Sequence, residues 1–233
     1  MFQFSGCGQG FDILSDNSHS LLPLLENFTY MTTVSSSQSL NQTNTLLEQL
    51  LPASDTGSSK WVRNVVAVVA GSILLTLSAK ASIPFFPVPM TLQTLVVLAL
   101  GMVLGPRLGA AAVLAYLAQG AMGLPVFAGT PEKGIGLAYM LGTTGGYLLG
   151  FVVASFFVGL LAERRWDRSV LTTIAAMIIG NAIIYAFGIA WLGSIVGWDK
   201  PVLAWGMTPF LLGDLAKILI AAAVMPTLWK LFK

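Results

Sequence analysis

The stretch Pro209–Trp229, PFLLGDLAKILIAAAVMPTLW, carries only two charges, Asp214 and Lys217. About 20 apolar residues suffice for a helix to cross a bilayer, so this run reads as a spanning helix. Residues three apart on a helix share a face. Ionisable groups inside a span are costly and mark binding or transport sites by default. The bland alternative is an ion pair that only locks two helices together.

The rest of the chain agrees with a membrane setting. Its 233 residues are 55% hydrophobic and 9% charged, with a mean hydropathy of +0.79. A soluble domain carries about 25% charged residues, so these few charges cannot cover a water-facing surface. The expected class is an all-α, multi-pass integral membrane protein of the cell membrane, with the lipid bilayer as its first partner. A net charge of +2 and the lack of a basic stripe argue against nucleic acid. One cysteine, Cys7, and one histidine, His19, leave no zinc site, internal disulfide or Ser-His-Asp triad within the apolar region. No GxxxxGK[ST] phosphate loop occurs.

Residues 1–59 contain no Lys or Arg and are rich in Ser, Thr, Asn and Gln. They read as a polar, disordered tail rather than a basic targeting peptide. Thr45-x-x-Glu48 matches a capping box and predicts a short amphipathic turn through Leu51. Met31 is a second candidate start, and initiation there would leave residues 1–30 untranslated.

Residues 60–233 form the predicted membrane domain. Spanning helices are expected at 62–80, 91–104, 107–122, 144–163, 169–192 and 209–232, six in all. Pro84, Pro87 and Pro89 exclude helix from loop 81–89. Gly105-Pro106-Arg107 is expected to separate the second and third helices. Lys60, Arg63, Arg107, Arg164, Arg165, Arg168, Lys230 and Lys233 fall at one end of the bundle. Lys80, Lys133 and Lys200 fall at the other. This bias predicts that both termini are cytoplasmic and that loops 81–89, 123–143 and 193–207 face outward.

Asp214 then lies near the outer end of the last helix, with Lys217 one turn deeper. An ammonium beside a helix N-terminus suits a carboxylate, and an ionised Asp suits N–H donors. The implied ligand is small, anionic at one end and amide-like or urea-like at the other. Gln93, Gln119, Asn181 and Tyr147 are further polar candidates. For Thr91 a capping role is expected. Phe85, Phe86, Phe127 and Trp205 could supply an apolar wall. On the first helix, Ala67-xxx-Gly71 places small residues at a spacing that lets helices approach closely. It reads either as internal packing or as a docking face for another membrane subunit.

Four stretches together resemble the BioY family of biotin transporters: IPFFPVPMTLQTLVVLALGMVLGPR (83–107), GLPVFAG (123–129), LGTTGGYLLGF (141–151) and Asp214-xx-Lys217. The resemblance runs in order along nearly all of residues 61–233. It implies a six-helix substrate-binding S component of an energy-coupling-factor transporter. Biotin is then the ligand, no cofactor is implied, and the partners are a transmembrane coupling subunit and two ATPase subunits. By this resemblance Lys217 holds the biotin carboxylate and Asp214 the ureido ring. Thr130, in AGTPEKG, stands closest to a polar contact from the loop between helices 3 and 4. Tyr147 contributes from the start of helix 4, and loop 81–89 acts as a lid. Two alternatives stay open from the residues themselves. One is an S component for a different anionic vitamin. The other is a membrane-embedded enzyme using Asp214 and Lys217 as acid and base.

Overall fold

A computed structural model describes residues 45–52, 57–84, 86–132 and 134–232. Cys7, His19, Met31, Phe85, Lys133 and Lys233 lie outside these residues. In chain order the elements are α1 (Leu46–Leu50), α2 (Gly57–Lys80), β1 (Ser82–Ile83), β2 (Met90–Thr91), α3 (Gln93–Ala121) and α4 (Leu137–Met140). They continue with α5 (Gly145–Glu163), α6 (Val170–Val196), α7 (Val202–Gly206), a 3₁₀ turn (Thr208–Phe210) and α8 (Leu211–Leu231). Among the described residues, five helical runs, Gly57–Lys80, Gln93–Ala121, Gly145–Glu163, Val170–Val196 and Val202–Leu231, are long and apolar enough to cross a membrane by length and composition alone.

The expected second and third helices both lie within α3. Gly105 breaks the run with φ 79° and ψ 179°, a left-handed φ that favours glycine, and Pro106 follows. The two arms then fold back on each other. The Gln93 amide donates to the Tyr116 hydroxyl at 2.8 Å, and a Cβ on Gly109 would sit 2.9 Å from the Gly101 Cα. At 1.5 Å per residue the arms, 93–104 and 106–121, are about 18 Å and about 24 Å long. Both fall short of a bilayer core of about 30 Å.

Glycines let the backbones cross closely. On Gly101 a Cβ would lie 2.4 Å from the Ser155 carbonyl oxygen, and on Gly159 it would lie 2.4 Å from the Pro106 nitrogen. Helix α5 is therefore seated directly on the turn of the hairpin. Helix α6 packs on α5, α8 on α6, and α2 on α3. The interior between them is filled by Leu75, Leu98, Met102, Tyr116, Met177 and Ile184.

Of the two readings of the small residues on α2, the structure fits internal packing: Ala67 is half-buried against the core and Gly71 is buried. A Cβ on Gly71 would meet Ala112 at 2.9 Å and Leu100 at 3.3 Å. The small residues serve the close approach of α2 to α3. The exposed face of α2 is formed by Trp61, Val62, Val66, Val69, Ile73 and Leu77.

At one end of the bundle, Thr45 accepts from Glu48 N at 3.4 Å to start α1, as the capping-box reading anticipated. Leu46 and Leu47 are buried in the core, so the packed structure begins well before the change in composition at residue 60. The Thr45 methyl covers Gly105. Trp229 donates its indole N–H to Asp167, and the Arg168 guanidinium stacks 4.0 Å over the Trp229 ring.

The opposite end is made of loops with short elements inside them. β1 and β2 pair antiparallel, Ser82 with Thr91 and Ile83 with Met90, so loop 81–89 leaves and returns through a hairpin. Two more elements, α4 and α7, lie in stretches read as helix-free. Helix α6 continues through Gly193, against which the Trp198 ring packs, and ends at Val196 before Gly197, whose φ of 92° is left-handed.

Candidate functional site

α8 begins two residues later than expected, after the 3₁₀ turn, so Asp214 lies in its first turn. The Thr208 hydroxyl donates to the Leu203 carbonyl at 3.3 Å. Asp214 and Lys217 share a face as their spacing requires, and their side chains are only 6% and 9% exposed. Lys217 Nζ donates to Asp214 Oδ1 at 2.9 Å and to Thr94 Oγ1 at 2.8 Å. Thr94 in turn donates to Asp214 Oδ1 at 3.1 Å, and the Tyr185 hydroxyl donates to Asp214 Oδ2. Three helices thus converge on one carboxylate: α3 through Thr94, α6 through Tyr185 and α8 through Lys217.

This quartet is not saturated. An ammonium has three donors and a carboxylate has about four acceptor positions. Lys217 spends two N–H groups and Asp214 accepts three bonds. One Lys217 donor and one Asp214 acceptor position, on Oδ2, remain. A ligand offering an anionic oxygen and an N–H can join the pair without splitting it.

The quartet opens into a cavity with about 60 Å³ of room for the centres of water molecules. Small-molecule sites usually have about 300 Å³ or more, so a drug-sized ligand requires the walls to part. Val88 and Pro89 from the hairpin loop, Ala128, Leu148, Phe151 and Phe210 form the apolar wall. Thr91, Gln93, Tyr139, Thr144 and Tyr147 add polar groups. Burial pushes the Tyr139 phenol above its ordinary value, so Tyr139 stays a neutral donor at physiological pH.

The other residues singled out in the sequence divide into wall, support and elsewhere. Gln93 lines the cavity, but its amide is engaged with Tyr116, and its backbone N–H donates to Thr91 Oγ1 at 3.2 Å. Thr91 therefore caps α3. Tyr147 also lines the cavity, with its ring over Gly188 and its hydroxyl donated to the Gly206 carbonyl at 2.8 Å. Phe127 is fully buried behind the wall. It stacks on Tyr139 at 4.8 Å and meets Tyr116 edge-on at 5.4 Å.

Thr130 lies outside the cavity lining. Its hydroxyl donates to the Phe127 carbonyl at 2.7 Å and accepts from Lys80 at 3.1 Å. Lys80 also donates to the Phe127 and Thr130 carbonyls at 3.2 and 3.3 Å, so it ties the end of α2 to this loop. Phe86 is 91% exposed and Trp205 is absent from the lining. Gln119 bonds Ser72 at 3.0 Å between helices. The Asn181 side-chain oxygen is buried without a partner among the described residues.

Sequence reasoning missed Thr94 and Tyr185. Tyr185 did carry a signal, since a tyrosine in the middle of an apolar run, away from the interface belts, needs a partner for its hydroxyl.

Comparison with known proteins places the chain. The family model described as the BioY family matches residues 43–233. The chain belongs to the BioY family. Among BioY relatives, "Biotin transporter BioY" of Thermotoga maritima is 39% identical over 170 residues, covering 73% of this chain and 98% of that protein. "Probable biotin transporter BioY" of Pyrococcus horikoshii is 39% identical over 160 residues, covering 68% and 92%. The fold is similar to the crystal structure of the S-component for biotin from an ECF-type ABC transporter. That match has a TM-score of 0.63 at 25% identity, covering 76% of this chain and 95% of that one. The BioY fold is thus that of a multi-pass membrane transport component rather than an enzyme.

Proposed function

We propose that this chain takes up biotin, as a substrate-binding membrane subunit that captures the vitamin at the outer face and delivers it inward. The observation that carries the reading is the unsaturated Asp214–Lys217–Thr94–Tyr185 quartet in a cavity between three helices, in a chain whose relatives are named as biotin transporters. Biotin has a carboxylate at one end and a ureido ring with two N–H donors at the other. The remaining Lys217 donor faces the carboxylate and the remaining Asp214 acceptor takes a ureido N–H.

In this reading both arms of α3 enter the membrane, giving six membrane-embedded rods, two of them shorter than the bilayer core. The end bearing Arg63, Arg107, Arg164, Arg165, Arg168 and Lys230 faces the cytoplasm together with both termini. The cavity then opens outward. The likeness to an ECF S-component supports a coupled system in which a transmembrane coupling subunit and two ATPase subunits drive the cycle. This chain itself needs no cofactor.

Equilibrium binding of radiolabelled biotin to the detergent-purified full chain tests the reading. Saturable binding that Lys217→Ala abolishes is expected. Absence of binding by the intact, folded chain overturns it.

A further inference from the structure

A second cavity, of about 530 Å³, lies at the end of the bundle opposite the candidate site, between α1, the start of α2, the turn of α3 and the end of α5. We propose that it holds a phospholipid headgroup bearing a phosphate and a primary ammonium, as in phosphatidylethanolamine. This assignment is independent of biotin.

Charge and depth carry the proposal. Arg63, Arg107, Glu48 and Glu163 line the cavity, two cations and two carboxylates. Arg107 and Glu163 have no hydrogen-bond or ion-pair partner among the described residues, and they do not pair with each other across the cavity. Two opposite charges held apart in one groove match a ligand that is itself a zwitterion. An anionic headgroup would answer Arg107 and leave Glu163 unmatched; a zwitterionic one answers both. Arg63 is held in place by its Nη1 bond to the Leu51 carbonyl at 3.2 Å and by its contacts with Asn64. Three of its five N–H groups are spent there, and the rest are available to a phosphate.

The apolar part of the lining lies deeper. Along α5 the cavity passes from Glu163 through Leu160 to Phe156, about 10 Å at 1.5 Å per residue. The polar layer of a bilayer is about 5–7 Å thick on each side, so this distance crosses from headgroup level to acyl chains. Phe156 is 39% exposed, so the groove continues onto the lipid-facing surface where the chains would run. A basic cavity between helices at headgroup level is a recurrent form of lipid recognition; the Glu163 carboxylate selects the amine.

Native mass spectrometry of the full chain, delipidated and then exposed in turn to palmitoyl-oleoyl phosphatidylethanolamine, phosphatidylcholine and phosphatidylglycerol, tests this. Several-fold greater retention of the ethanolamine lipid is expected, since the choline headgroup has no N–H to donate and the glycerol headgroup no cation. Arg107→Gln should reduce retention of all three lipids. Glu163→Gln should erase only the preference of ethanolamine over choline. Both residues are exposed, and unchanged melting temperatures confirm that the variants fold. Equal retention of the three lipids by the unaltered chain, a preference for phosphatidylglycerol, or an ethanolamine preference that survives both substitutions overturns the assignment.

Discussion

Lys217 donates to Asp214 at 2.9 Å while both side chains are more than nine-tenths buried. A buried pair of this kind is costly to break, because the partner left behind is an uncompensated charge worth about 3–5 kcal/mol. Lys217→Met should therefore lose biotin binding and also lower the melting temperature. The double variant Asp214→Asn with Lys217→Met should regain most of the thermal stability without regaining binding. Radioligand binding and thermal unfolding measured on the same samples separate the two effects. Undiminished binding by Lys217→Met would remove the pair from the site.

Thr94 and Tyr185 hold the Asp214 carboxylate from two other helices. A hydrogen bond to a charged group contributes about 1.5–3 kcal/mol, or roughly 10- to 150-fold in Kd. Thr94→Val and Tyr185→Phe should each weaken biotin binding within that range. Isothermal titration checks this, and a change under threefold in both variants would mean that Asp214 needs neither partner.

Thr130 offers a contrast. Its hydroxyl is engaged with Phe127 and Lys80 rather than aimed at the cavity. Thr130→Ala should leave the Kd for biotin within about fivefold, one lost bond at the surface being worth about 1 kcal/mol or less. A loss of tenfold or more would show that the loop turns its hydroxyl inward on binding.

Gly71 has no space for a side chain, since a Cβ there would sit 2.9 Å from Ala112. Overpacking of this kind costs about 1–3 kcal/mol. Gly71→Leu should lower the melting temperature of the isolated chain, with no partner subunit present. If stability is unchanged and only assembly with a coupling subunit suffers, the inward packing of this stripe is incorrect.

Asp167 sits in the connection between α5 and α6, fully buried. Burial raises its carboxyl above the ordinary value of 3.8, while the Trp229 indole and Arg168 pull it down. A raised folded-state value means the folded chain holds this proton longer than the unfolded chain does. Stability therefore falls as pH rises from about 4 through the raised value, and stays reduced above it. Asp167→Asn keeps an acceptor for Trp229 and removes the ionisation penalty. Its melting temperature should exceed that of the unaltered chain at pH 8, with the gap closing near pH 4. The reverse order at pH 8 would mean that attraction to Arg168 outweighs burial.

The sequence made the rods and their breaks readable because each rests on local chemistry. Gly105-Pro106 must end a helix wherever it falls, and Asp214 and Lys217 must share a face at a spacing of three. Thr45 and Glu48 likewise declare a helix start. Direction was less accessible. Ala67-xxx-Gly71 announces a close approach without saying to what, and the answer is Ala112 and Leu100 within the same chain. The β1–β2 pair was hidden by its prolines, yet Pro84, Pro87 and Pro89 all fall between Ile83 and Met90 and none is asked to donate within the ladder. Thr94 and Tyr185 lie 120 and 29 residues from Asp214, so no local pattern could join them to it. Thr130 was drawn away by Lys80, a contact that only the folded chain creates.

The seating of Gly159 on Pro106, and of Gly101 against the Ser155 carbonyl, fixes where this molecule can give. Backbones that close cannot slide past one another without collision, so the crossing of α5 over the hairpin acts as a fulcrum. Any widening that admits a vitamin must come from the far tips of the rods and the loops joining them, as the jaws of tweezers part from a joined base.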